Sequence, residues 1–126
     1  MQAYYGNIEK ETLDNTNFRK VLYTGAHTQL VVMSLNPGEE IGTEVHDTVD
    51  QFFRIEQGTA QFIIDGQSTE AGPDQVVIIP AGSQHNVESL GPDTLKLYTL
   101  YSPPNHPPNT IHATKTEADE AEKHHH

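Results

Sequence analysis

Between Phe18 and Ser102 the chain alternates short β-rich runs with turn residues at intervals of about ten positions. The runs are 19–24, 29–35, 51–57, 59–64, 75–79, 85–89 and 95–101. They are broken by Gly25-Ala26-His27-Thr28, Asn36-Pro37-Gly38, Asp65-Gly66, Gly72-Pro73 and Pro80-Ala81-Gly82. Each break has a physical cause: Pro presets φ, Gly accepts positive φ, and Asp-Gly between apolar runs favours a tight hairpin. No stretch before the C-terminal segment keeps a 3.6-residue period. Short strands at this spacing predict an all-β domain, a sandwich or a barrel.

A chain of 126 residues is one domain by size. Residues 1–17 read as a polar arm without a strong period, anchored by Ile8 and Leu13. Residues 18–102 read as the barrel, and 103–123 as a tail. Pro103, Pro104, Pro107 and Pro108 exclude regular helix or central strand there, so the tail should run extended over the barrel surface. Residues 116–123 are left between a weak helix and disorder. The closing His124–His126 looks like a purification-tag remnant.

The polar content excludes several functions. The formal charge is -11, from 18 acidic and 7 basic side chains. Such a surface repels phosphate backbones and anionic lipids, which argues against nucleic-acid and membrane partners. With no cysteine there is no disulfide framework and no thiolate chemistry. No apolar run is long enough to span a bilayer, and residues 1–17 have no signal-peptide pattern. A cytoplasmic location is the expectation.

Against that background, a few residues stand out as metal ligands. Glu44 and His46 are two apart, so on a strand they share a face. Gln51 opens the next strand, and His85 opens another after Pro80-Ala81-Gly82. Four donors from three strands, aimed into one barrel, read as a metal site. The spacing of Gly38, Glu44, His46, Gln51 and Gly58, answered by Pro80, Gly82 and His85, resembles the two motifs of the cupin superfamily. The resemblance implies a single-domain double-stranded β-helix, the jelly-roll barrel. It also implies a homodimer paired through sheet faces, where Phe52 would point outward.

The chain departs from the cupin pattern at four places. Glu44 stands where the first His of the motif belongs, and Gln51 where its Glu belongs. Asp74 replaces a Gly, and Ser89 an Asn. What remains is two His and one carboxylate, with Gln51 as a neutral fourth donor. Such a set suits Fe(II), and also Mn or Zn. The other reading is a lapsed site in which Glu44 bonds Gln51 and the two His are neutral.

Strand parity extends the site. If Gln51 points inward, so do Phe53 and Ile55, while Phe52, Arg54 and Glu56 point out. If His85 points inward, so do Val87 and Ser89. Phe53, Val87 and Ser89 are therefore the expected substrate pocket, with core packing as the alternative for each. Asp47 and Asp50 read as turn caps, or as groups orienting a metal-bound His. Tyr98 and Tyr101 read as packing residues. His27, His106 and His112 read as surface residues, unless the tail folds over the barrel mouth.

Two functions follow. One is a metalloenzyme on a small organic molecule, a dioxygenase or an isomerase or lyase, with Glu44 as a carboxylate able to take a proton. The other is a ligand-binding or structural barrel without chemistry. Sugar-phosphate isomerisation is the less attractive enzyme reading, because phosphate recognition wants Arg or Lys. The chain has two arginines, Arg19 and Arg54, and parity turns Arg54 outward; either one lining the cavity would favour that reading again.

Overall fold

Period-two alternation governs the strands. In Asp50–Gln57 (β4) the residues Gln51, Phe53 and Ile55 are buried, and Phe52 and Arg54 between them are half-buried. In Leu95–Ser102 (β9) the buried set is Leu95, Leu97, Thr99 and Tyr101. The expected inward parity of β4 therefore holds. The computed structural model describes residues 2–123, and the tag-like 124–126 lie outside the described residues.

The other strands are Arg19–Thr24 (β1), Gln29–Leu35 (β2), Glu44–Val45 (β3), Ala60–Ile64 (β5), Gln67–Ala71 (β6), Val76–Ile79 (β7), Gln84–Ser89 (β8) and Ile111–His112 (β10). They form two antiparallel sheets, β10-β1-β2-β9-β4-β7 and β3-β8-β5-β6. This is the architecture of a double-stranded β-helix. Between the sheets lie Val31, Met33, Leu35, Phe53, Ile55, Phe62, Val87, Leu95 and Leu97, all fully buried. Phe53 and Phe62 meet edge to face at 5.1 Å, a favoured aromatic geometry.

The turn chemistry explains how the strands are joined. Asp74 adopts φ +69, the left-handed region where the motif has Gly. Asp tolerates that region better than most residues. Its carboxylate also receives a hydrogen bond from Arg54 at 2.9 Å. Gly58 has no substitute: at φ +85 a Cβ would sit 2.9 Å from the Thr94 carbonyl oxygen.

The N-terminal arm differs from the sequence reading, while the tail takes the helical one of its two alternatives. The arm contains a helix, Ile8–Asp14 (α1), capped by Asn7, whose Oδ1 accepts from Lys10 N at 3.1 Å. Acidic Glu9 and Glu11 favour its first turn. Ile8 is half-buried, but Leu13 is exposed, and the buried residue is Thr12. The helix packs on β2, β4 and β9, and Lys96 Nζ donates to the Leu13 and Asn15 carbonyls at 3.0 and 2.6 Å. Contacts of this kind come from distant sequence and leave no local period.

The tail supplies an edge strand and a helix. β10 pairs with β1, placing His112 opposite Arg19, and Lys115–Lys123 forms α2. Gln29, fully buried, fastens the proline-rich stretch. Its Oε1 accepts from Asn105 N and His106 N at 3.0 Å each. Its Nε2 donates to His106 O at 2.7 Å and Thr24 Oγ1 at 3.0 Å. Among the described residues no helix is long and apolar enough to cross a membrane.

Candidate metal centre

Two loops carry the candidate ligands, and the backbone ties them together. β3 presents Glu44 directly opposite His85 of β8. His46 follows β3. Gly82, at φ +90, closes the turn that launches β8, and its N–H donates to the His46 carbonyl at 2.9 Å. Asp50 Oδ1 accepts from Ala81 N at 2.8 Å, so Asp50 caps this turn.

The side chains then converge. Glu44, His46 and His85 each bring a ligand atom within 4.8 Å of the other two. The His46 and His85 rings are 5.3 Å apart, and His46 Nε2 lies 3.7 Å from Glu44 Oε2. Donors around one first-row ion, with bonds of roughly 2.0–2.2 Å, lie within roughly 4.4 Å of each other. Donors around a tetrahedral ion lie nearer ~3.4 Å apart, so holding an ion draws these side chains closer together.

Orientation and protonation suit ligation. His85 Nδ1 lies 3.1 Å from the Ser83 carbonyl, which can only accept, so Nδ1 carries the hydrogen. In the neutral ring this leaves the Nε2 lone pair facing inward, as a backbone carbonyl does for many metal-bound His. His46 is held below its ordinary pKa chiefly by burial. The nearby Glu44 carboxylate pulls the other way, and His85 adds to the depression.

Gln51 comes from the facing sheet. Its Nε2 donates to Thr99 Oγ1 at 3.0 Å. His46 Nε2, His85 Nε2 and Gln51 Oε1 are all buried without a hydrogen-bond partner. Buried polar atoms are rarely left so, since each costs about 1–3 kcal/mol. The orphaned atoms are donors of the kind that a divalent ion takes up, so the residues fit such a group.

A cavity of about 410 Å³ opens beside this cluster, within the ~300–1,000 Å³ usual for small-molecule sites. Glu44 and His46 form one wall. Arg19, His106, His112 and Glu122 form much of the rest. The tail thus covers the barrel mouth, and His106 and His112 face the cavity. Phe53, Val87 and Ser89 are elsewhere. All three are buried, Phe53 and Val87 within the apolar core, and none lines this cavity.

Tyr101 links the two sides. Its ring stands edge-on to His46 at 6.0 Å and to His106 at 5.1 Å, and its hydroxyl lies 3.3 Å from His106 Nε2. Burial pushes its phenol up to about 12, although the Arg19 charge opposes this, so the hydroxyl stays protonated. Arg19 is 7% exposed. The sequence reading weighed it only as a phosphate-recognising group whose place in the cavity would favour sugar-phosphate isomerisation, and it does line the cavity. It shares a face with buried Val21 in the run 19–24, and that parity was the available signal for its inward position. Its partner His112 arrives from 93 residues away, beyond any local pattern. Arg54 stays on the outer face with Asp74, as expected.

Comparison with known proteins places the chain among these barrels. A model of the cupin domain matches residues 31–101. The Bacillus subtilis protein YrkC is 46% identical over 123 residues, covering 92% of this chain and 66% of YrkC. The Acanthamoeba polyphaga mimivirus protein L612 is 44% identical over 115 residues, covering 87% of this chain and 71% of L612. The chain therefore spans about two thirds of the length of these relatives. The crystal structure of BH2720 from Bacillus halodurans is 41% identical, with a TM-score of 0.92 over 94% of this chain and 95% of that one.

Proposed function

The chain belongs to the cupin-domain family, and from that premise we propose that it binds a divalent metal ion and acts on a small organic molecule. Glu44, His46 and His85 are the ligands, and Gln51 is the fourth donor. The observation that carries this reading is the set of orphaned buried atoms, His46 Nε2, His85 Nε2 and Gln51 Oε1. The donor set suits Fe, Mn or Zn. Bound there, the ion supplies Lewis-acid polarisation of a substrate oxygen, and iron adds redox chemistry.

The chain's own groups do the rest. Glu44 is partly exposed at the cavity wall, so its carboxylate can take a proton from a substrate held there. Tyr101 keeps its hydroxyl proton at neutral pH and faces His106 and His46. The tail residues Asn105, His106 and Pro107 wall the cavity and reduce its access to water. Dioxygenase and isomerase or lyase chemistry both fit this arrangement.

Elemental analysis tests the metal. The protein freed of His124–His126 should carry near-stoichiometric metal, and a His46→Ala/His85→Ala double variant should carry none. No metal in either protein, even after reloading, sinks the reading.

A non-catalytic ligand-binding barrel is the second reading. It is favoured by the fact that Glu44 is both the carboxylate beside the His pair and part of the donor set. Coordination positions open to exchangeable water support catalysis, and a closed four-ligand site supports binding alone.

A homodimer in the cytoplasm completes the proposal. Its support is β7, an edge strand whose Ile78 is 65% exposed beside exposed Val76. Edge strands with exposed apolar side chains invite pairing. Sedimentation of the purified protein as a monomer would remove that part.

A further inference from the structure

We infer that Arg19 forms an anion subsite and that the ligand of this cavity is a small carboxylate. The inference rests on the proposed metal centre, because it supplies the second half of the same cavity.

A guanidinium does not lose its proton in a protein. Arg19 therefore carries its charge while only 7% exposed. Buried charges are normally paired with an opposite charge. Among the described residues no carboxylate forms an ion pair with Arg19. Its Nη1 donates instead to His112 Nδ1 at 3.2 Å. Since Arg can only donate, His112 Nδ1 is an acceptor and the imidazole gives no counter-charge. The Arg19 Nε–H is buried without a hydrogen-bond partner, and the guanidinium's other neighbours, the Phe18 ring at 5.4 Å and the protonated Tyr101 hydroxyl, are uncharged. A buried cation with an unused donor, at the wall of a cavity, is a site shaped for an oxyanion.

The surroundings choose the kind of oxyanion. Glu44 and Glu122 line the same cavity. Lys residues are absent from its walls, and Asn105, His106 and His112 are the other side chains with nitrogen on the tail side. One guanidinium balances one negative charge. With the proposed divalent ion bound, its two charges and that of Arg19 face the two carboxylates and leave one positive charge over, less than the near-two negative charges of a phosphate ester at neutral pH. A monoanionic carboxylate fits the charge that Arg19 supplies.

The test uses the metal-free protein, 15N-labelled, titrated with benzoate, pyruvate, benzamide and inorganic phosphate. The chain has two arginines, so an Arg54→Gln variant assigns the Arg19 Nε–H resonance by elimination. Benzoate or pyruvate should shift that resonance and bind roughly 10-fold or more tightly than benzamide, the gain expected of a charge-assisted pair. Arg19→Gln should lose that gain, and Arg54→Gln should keep it. An unmoved Arg19 resonance in the otherwise native protein overturns the inference, even if Arg19→Gln fails to fold. Equal affinity for benzamide overturns it too. Tighter binding of phosphate overturns the carboxylate assignment and revives phosphate esters.

Metal uptake, measured on the same preparations, separates the two readings. Intact uptake with a silent Arg19 removes the subsite alone. An Arg19 response without metal uptake removes the metal centre alone.

Discussion

The two ends of the barrel interior are built from the same strands and obey opposite rules. At one end Gln29 of β2 and Gln51 of β4 flank Tyr101 of β9 in register. Two residues along, the layer is Val31, Thr99 and Phe53, and beyond it Met33, Leu97 and Ile55. Every one of these side chains is buried. The far end buries mainly apolar surface, with the buried Ser89 hydroxyl as a polar exception. The mouth end buries amides, imidazoles and a guanidinium, and leaves several of their atoms unpaired. The two glutamines sharpen the contrast. Gln29 has both amide atoms in hydrogen bonds, to Thr24 and the tail. Gln51 uses its nitrogen and leaves its oxygen bare. A fully satisfied buried amide holds structure together. A half-satisfied one costs stability, and on the proposed function its bare oxygen is where the ion would be taken up.

The largest effect should come from the apolar end. Phe53→Ala removes a fully buried ring packed on Phe62 and should cost about 3–5 kcal/mol in denaturant unfolding. A cost below about 1 kcal/mol would mean that the core is not the main source of stability.

The glutamines should then separate. Gln29→Ala strips partners from Asn105 N, His106 N and His106 O, and should lose about 2–3 kcal/mol in the metal-free protein. Gln51→Leu removes an orphaned acceptor together with one donor, to Thr99 Oγ1; the two partly offset, and that stability should change by no more than about 1 kcal/mol. It should, however, weaken metal retention by roughly 10-fold or more, as measured by competition with a chelator. Equal stability losses in the two variants would break the comparison.

The smallest effect is a pH dependence. Burial depresses both His46 and His112. In the unfolded chain each takes up a proton near pH 6.5, while in the folded protein each stays neutral to lower pH. The unfolded state therefore binds more protons as the solution is acidified, and stability falls as pH drops below about 6.5. Melting temperatures of the metal-free protein should decline from pH 7 to pH 5, and less steeply in His112→Ala. An equally steep decline in that variant would remove His112 from the account.

The fold was legible because its signals are local. Asn36-Pro37-Gly38, Asp65-Gly66 and Pro80-Ala81-Gly82 each impose a turn by their own chemistry, and alternation between them fixes which side chains face inward. Glu44, His46 and His85 were legible for the same reason: spacing and a turn. Arg19, the fastening of the tail by Gln29 and helix α1 were not. Each depends on a partner far along the chain: His112 for Arg19, His106 for Gln29, Lys96 for the end of α1. The pocket was the harder part to read. Parity told correctly that Phe53 and Val87 face inward, but it carries no information about how far from the mouth they lie.

The Gln29 contacts also bear on the order in which the molecule is completed. Chains emerge from the ribosome N-terminus first, and segments fold as they become available. Every candidate metal ligand lies at or before His85, and the central strands are complete at Ser102. Asn105 and His106, which dock on Gln29, come only afterwards. An ion could therefore be captured by a barrel whose cavity is still unwalled. On the proposed function, the wall would then close over a centre already loaded, and metal choice and substrate choice would be made at different moments by different parts of the chain.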